Sequence, residues 1–81
     1  MEDMREDNKT LRLVKLRLGI YRFVVGGGGL RYLTSVRRCY PSYSQEDFDN
    51  SVSQLIERDM LTKTIGRNGA ICLKQVVKES Q

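Results

Sequence analysis

The sequence predicts a mainly helical α+β domain in which three helices precede a two-stranded β-hairpin. Apolar residues recur at helical spacing through the first two thirds of the 81-residue chain, and two β-prone runs around an Asn-Gly turn follow. A chain of this length has room for one modest core. We therefore divide it into a flexible acidic N-terminus (1–7), one domain (8–75) and an end segment (76–81) that either extends a strand or frays.

The first predicted helix, NKTLRLVKLRLGIYRFVV, has Asn8 as its candidate N-cap. It carries two apolar stripes, which only Arg17 interrupts. The first stripe comprises Leu11, Val14, Leu18, Tyr21 and Val25, and the second comprises Leu13, Leu16, Ile20, Phe23 and Val24. Because one small core cannot use both stripes, the pattern predicts a homodimer. We expect its contacts to come from Leu13, Leu16, Ile20 and Phe23.

Glycine and proline set the next boundaries. Four glycines at 26–29 end the first helix, and we expect them to form a flexible hinge. The segment LRYLTSVRRCY then predicts a second helix over 30–40, which Pro41 ends in a turn at 41–43. A third helix begins after the candidate N-cap Ser44, with Asp47 three residues further on.

Two β-prone runs at 61–65 and 70–73 flank the turn Gly66-Arg67-Asn68-Gly69 and predict a hairpin. Together with SQEDFDNSVSQLIERDMLTKTIGRNGAICLK, this order resembles the winged helix-turn-helix superfamily over residues 8–75, and small repressors of the MarR and ArsR type in particular. The resemblance implies that the third helix is a recognition helix and the hairpin a wing. It also implies sequence-specific binding of double-stranded DNA, as a transcriptional regulator or as a plasmid or phage partition adaptor.

Charge is segregated along the chain, whose net charge is +4. Residues 1–7 carry −3, residues 8–40 carry +8 without an acid, residues 41–59 carry −4 and residues 60–81 carry +3. A concentrated basic segment gains affinity for a polyanion by displacing its counterions, so the distribution favours a nucleic-acid partner.

The candidate DNA-binding residues fall into three groups. A basic row on the second helix suits phosphates, polar side chains on the third helix suit base edges, and cations of the hairpin suit the minor groove. These residues are Arg31, Ser35 and Arg38, then Glu46, Asn50, Ser53 and Gln54, then Lys63, Arg67 and Lys74.

Other functions have less support in the sequence. Without histidine, neither Cys39 nor Cys72 has the usual base of a nucleophilic thiol, so we expect no enzyme activity, metal or cofactor. The glycine run lacks the lysine and hydroxyl of a phosphate-binding loop. Two alternatives stay open: the acidic third helix binds a basic protein partner, or the basic first helix lies on a membrane surface. The alternating charges at the N-terminus are unlike a secretory signal, so we expect a cytoplasmic protein with no membrane partner.

Overall fold

The computed structural model describes the backbone of residues 2–77 and the side chains of residues 9–77. Its elements, in chain order, are α1 (Glu2–Gly26), β1 (Leu30–Tyr32), α2 (Leu33–Arg38), α3 (Gln45–Glu57), β2 (Leu61–Ile65) and β3 (Ile71–Gln75). The strands form one antiparallel sheet in the order β1-β3-β2. The predicted class, a mainly helical α+β domain, is confirmed for this part of the chain, but the sheet has three strands where two were expected.

Helix α1 begins earlier than predicted. It starts at Glu2 instead of after Asn8, so the helix also includes residues 2–7, which were predicted to lie outside the domain. These residues contain no glycine or proline, and most of them tolerate helical geometry well. At the other end of the chain, Val76 donates its backbone N–H to the carbonyl of Met60 at 3.1 Å. The rest of the predicted end segment, residues 78–81, lies outside the described residues.

The glycine run forms a hydrogen-bonded helix cap, so the expectation of a flexible hinge was wrong. The N–H of Gly29 donates to the Val24 carbonyl at 3.0 Å, and that of Gly28 donates to the Val25 carbonyl at 3.2 Å. This pair of bonds, with Gly28 at φ +83°, is the Schellman arrangement that closes many helices. The Gly29 carbonyl then accepts from the N–H of Gln75 at 2.7 Å, which ties the cap to β3.

The segment after the cap is a strand, where the sequence predicted the start of a helix. Leu30 pairs with Lys74 and Tyr32 pairs with Cys72, so β1 adds an edge to the hairpin. The second helix consequently spans only Leu33–Arg38. The apolar spacing of residues 30–40 also fits a helix that begins at residue 30. Pairing with β3 instead satisfies the backbone hydrogen-bonding groups of residues 30–32.

The turn between α2 and α3 is held by one side chain. Arg37 donates from Nε to Gln45 Oε1 at 3.1 Å, and from its two terminal nitrogens to the carbonyls of Tyr40 and Tyr43 at 2.5 and 2.9 Å. Its guanidinium carbon also lies 5.3 Å from the centre of the Phe48 ring. The planar fork of arginine is suited to several acceptors at once, so Arg37 fixes how α3 leaves the turn.

Helix α3 begins and ends with well-formed caps. Ser44 Oγ accepts from the N–H of Asp47 at 3.1 Å, which confirms the predicted N-cap. At the C-terminal end, the N–H of Met60 reaches the Leu55 carbonyl at 2.9 Å, and Asp59 takes the left-handed conformation at φ 59°. The chain thereby reverses directly into β2.

The core lies between α1, α2, α3 and the inner face of the sheet. Its fully buried side chains are Leu16, Ile20, Val24, Val36, Phe48, Val52, Leu55, Leu61 and Leu73. Of the residues expected to form a dimer, Leu16 and Ile20 belong to this core, while Leu13 and Phe23 are half-buried. The expected dimer contact is therefore corrected, because the second stripe packs into or against the core. Of the first stripe, Leu11, Leu18 and Val25 are exposed, while Val14 and Tyr21 are half-buried.

The hairpin is present, with β2 at the predicted residues and β3 extended to Gln75. Its turn is closed by Gly66, whose N–H donates to the Ala70 carbonyl at 2.7 Å, and by Gly69, whose N–H donates to the Gly66 carbonyl at 3.0 Å. Within this turn only Gly69 has positive φ, at +81°. The turn is therefore a three-residue loop with one left-handed glycine, and it is not the two-residue type I′ turn that Asn-Gly favours.

Candidate nucleic-acid interface

The exposed face of α3 has the composition expected of a base-reading surface. Glu46, Asn50 and Ser53 are exposed and lie opposite the buried side chains Phe48 and Val52. Their spacing of four and three residues places them in one row along the helix. Amide groups can pair with adenine, and a carboxylate can accept from cytosine. The structure brings these three predicted residues together.

Gln54 lies at the flank of this row and is engaged by α1. Arg17 donates from a terminal nitrogen to Gln54 Oε1. The amide nitrogen of Gln54 keeps its two donors, so a contact with an acceptor on a base edge is still available to it. Arg17 also places a cation beside the acidic helix. The sequence contained a signal for this contact, because Arg17 is the polar residue that interrupts the two apolar stripes of α1.

The carboxylates of α3 are concentrated toward its N-terminus. Glu46 and Asp47 occupy the first turn, where the helix dipole favours negative charge. Asp49 Oδ1 accepts from Gln45 Nε2 at 2.8 Å, which secures a side chain on the flank of the row. The helix dipole therefore compensates the charge of the first-turn carboxylates, whereas Glu57, the last residue of α3, places a carboxylate at the negative end of the dipole.

Arg31 lies apart from the predicted row on the second helix. It belongs to β1, where its Nε donates to the Phe23 carbonyl at 3.2 Å and its guanidinium carbon lies 4.1 Å from the centre of the Phe23 ring. It braces the strand against the end of α1, so its predicted place in a helical row with Ser35 and Arg38 was wrong. Ser35 is half-buried and Arg38 is exposed, and these two residues remain together on α2.

The cations of the hairpin do not share one face. Arg67 is exposed at the tip, as predicted. Lys63 pairs with Leu73, which faces the core, so Lys63 lies on the side of the sheet that carries the helices. Lys74 is one residue further along β3 and therefore points to the opposite side. The three predicted cations cannot all contact one surface, and Lys74 is separated from the others.

Two further features of this region were missed in the sequence. Near the hairpin tip, Ile65 pairs with Ile71, and their side chains are 73% and 46% exposed.

The second feature is a groove beside the N-terminus of α3, which is lined by Lys9 and Arg12 of α1. The guanidinium carbon of Arg12 lies 4.7 Å from the centre of the Tyr43 ring. The basic spacing of α1 was visible in the sequence, but its position against α3 depends on the packing of the two helices.

Within residues 2–77, no helix combines the length and apolar character needed to cross a membrane. Among the side chains of residues 9–77, His, Cys, Asp and Glu form no group of three that could hold a metal ion. Cys39 is exposed and Cys72 is buried, and both are free thiols.

Comparison with protein-family models, curated proteins and solved structures finds no match to this chain.

Proposed function

We propose that this chain is a winged-helix domain that binds double-stranded DNA, with α3 in the major groove and the hairpin beside it. The observation that carries the proposal is the order helix, strand, helix, helix, strand, strand with the sheet order β1-β3-β2. In such an arrangement the helix before the hairpin is free on one side, and here that side bears Asn50 and Ser53. A sequence-specific regulator or a partition adaptor would use the same surface.

Separate residues supply affinity and sequence reading in this proposal. Arg38, Lys63 and Arg67 are exposed cations that suit phosphate oxygens, and such contacts fix orientation without reading bases. Asn50 is the central polar residue of the α3 row and is the principal candidate for reading a base edge. Glu46 is the candidate for accepting a hydrogen bond from cytosine.

The acidic residues of α3 oppose DNA binding and set a condition on the proposal. A carboxylate near a phosphate is repelled, and this repulsion weakens as salt rises. Lys9 and Arg12 lie in the groove beside the first turn of α3, where they offset Asp47. Affinity is therefore expected to come from the cations around the helix, and discrimination between bases from the row at its centre.

The test is a titration of labelled duplex DNA with the full chain over a range of salt concentrations. The logarithm of affinity should fall linearly with the logarithm of salt, and Lys63→Ala should reduce the slope by about 0.9, the contribution of one phosphate contact. Lys74→Ala is the matched control, because it removes the same charge from the opposite face of the same hairpin. Equal effects of the two variants, or binding indifferent to salt, would contradict the proposed interface.

The second candidate function is recognition of a basic protein, and the acidity of α3 favours it. Glu46, Asp47, Asp49 and Glu57 all lie on this helix, which contains no lysine or arginine. Charge complementarity of this kind steers association between proteins. Glu46→Gln separates the two functions: it should tighten binding to a duplex of unrelated sequence if α3 meets phosphates, and should weaken binding to a basic partner if α3 meets a protein.

A further inference from the structure

The outward stripe of α1 has the spacing of a helix-pairing seam. Leu11, Val14, Leu18, Tyr21 and Val25 follow one another at intervals of three and four residues, which is the spacing of the a and d positions of a heptad repeat. Leu11, Leu18 and Val25 are 53%, 43% and 36% exposed, and Val14 and Tyr21 are half-buried. The seam is thus a continuous apolar strip on a 25-residue helix.

We propose that this seam is covered by the same seam of a second copy of the chain, with the two α1 helices antiparallel. A heptad strip is complementary to itself, since side chains at a and d fill the spaces between those of an identical helix. In the antiparallel register centred near residue 16, Leu11 lies opposite Tyr21 of the partner subunit, and Val14 lies opposite Leu18 of the partner subunit. These four residues then meet an apolar side chain, whereas the fifth seam residue, Val25, lies opposite Asp7 of the partner subunit at the end of the contact.

The charges of α1 favour the antiparallel direction. Residues 2–7 carry −3, and the basic segment 9–22 contains five cations and no acid. A parallel pair would place the two acidic segments side by side. The antiparallel pair moves each acidic segment away from its copy and places Asp7 about one helical turn from Arg22 of the partner subunit. The basic segments lie near each other in both directions, so their repulsion does not distinguish the two.

The strip is short, which sets the strength of the expected association. A two-helix contact of about four turns falls at the small end of specific interfaces, below about 1,200 Å². The dissociation constant is therefore expected in the micromolar range. This inference is independent of nucleic-acid binding, because none of the seam residues belongs to the proposed DNA-binding surface.

The test is sedimentation equilibrium of the full chain at roughly 10 to 300 μM, the range suited to a small interface. We expect a monomer–dimer equilibrium for the wild type, and a dissociation constant raised at least tenfold in Leu18→Glu. Ile65→Glu is the matched control, since it places the same charge at an exposed apolar residue of the hairpin and should leave association unchanged. A wild-type monomer throughout this range, or a dimer unaffected by Leu18→Glu, would overturn the proposal.

A distance measurement tests the direction without changing the seam. A spin label at Gly26→Cys, with the exposed Cys39 replaced by serine, has open space around it at the end of α1. Two labels in the antiparallel pair should be about 30 Å apart, because each lies ten residues from the two-fold axis at 1.5 Å per residue. A parallel pair would bring them to about 10 Å, the separation of packed helices, and would contradict the proposed arrangement.

Discussion

Arg37→Ala should be one of the most destabilising substitutions outside the apolar core. The side chain donates to three acceptors that span the turn from α2 to α3, and it lies over the Phe48 ring. A hydrogen bond with a charged partner contributes about 1.5 to 3 kcal/mol when well formed. Because Arg37 is only half-buried and water can replace part of these bonds, we expect a total loss of about 2 to 3 kcal/mol.

Thermal unfolding followed by circular dichroism measures this loss. For a domain of this size each kcal/mol corresponds to about 4 to 8 °C, so Arg37→Ala should lower the midpoint by roughly 10 to 20 °C. Arg37→Lys should recover little, because an ammonium cannot reach the three acceptors in one plane. Arg38→Ala is the matched control: it removes the same charge from the same helix end, and Arg38 is exposed. Similar midpoints for Arg37→Ala and Arg38→Ala would refute the assignment of Arg37 as the brace of this turn.

Two further predictions concern the backbone and the response to alkali. Gly28→Ala should destabilise the fold by about 1 kcal/mol, because a side chain at φ +83° is strained even in open space. Gly26→Ala, also in open space but in helical conformation, should leave stability unchanged or raise it by up to about 1 kcal/mol, and a chemical-denaturation series compares the two. Burial, followed by the nearby Cys39 and Tyr43, raises the pKa of Tyr40 above its usual 10.0. The folded state therefore holds this proton more tightly than the unfolded state, and stability should be lost as pH rises above about 10. Tyr40→Phe should show a smaller alkaline loss in the same unfolding assay, and an equal loss would contradict this role.

The features that sequence reasoning found are those set by neighbouring residues. The N-cap Ser44 bonds to an N–H three residues away, and the hairpin is closed within the loop 66–69. The second helix ends at Arg38, before Pro41, and the expected turn lies at 41–43. Such signals act over a few residues, so they can be read from a short stretch of the chain.

The features that it missed depend on residues far apart in the chain. β1 is a strand because it pairs with β3, some 40 residues later, although its own apolar spacing also fits a helix. The outward stripe of α1 was mistaken for the inward one, because both stripes are apolar and only the packing against α3 and the sheet distinguishes them. Arg31 was grouped with Arg38 by helical spacing, which does not hold because residues 30–32 form a strand. Lys74 was grouped with Lys63 because both belong to the hairpin, which takes no account of the face of the sheet on which each lies.

The most direct test of the central claim, that α3 reads base edges in the major groove, compares two duplexes. The full chain and Asn50→Ala are titrated against a duplex selected by the wild type from a random pool and against a scrambled duplex of equal composition. A good base contact contributes about 1 to 3 kcal/mol of discrimination, so Asn50→Ala should reduce the preference for the selected duplex by roughly 5- to 150-fold. Its affinity for the scrambled duplex should stay close to that of the wild type. An unchanged preference in Asn50→Ala, with the fold intact by circular dichroism, would contradict insertion of α3 into the groove.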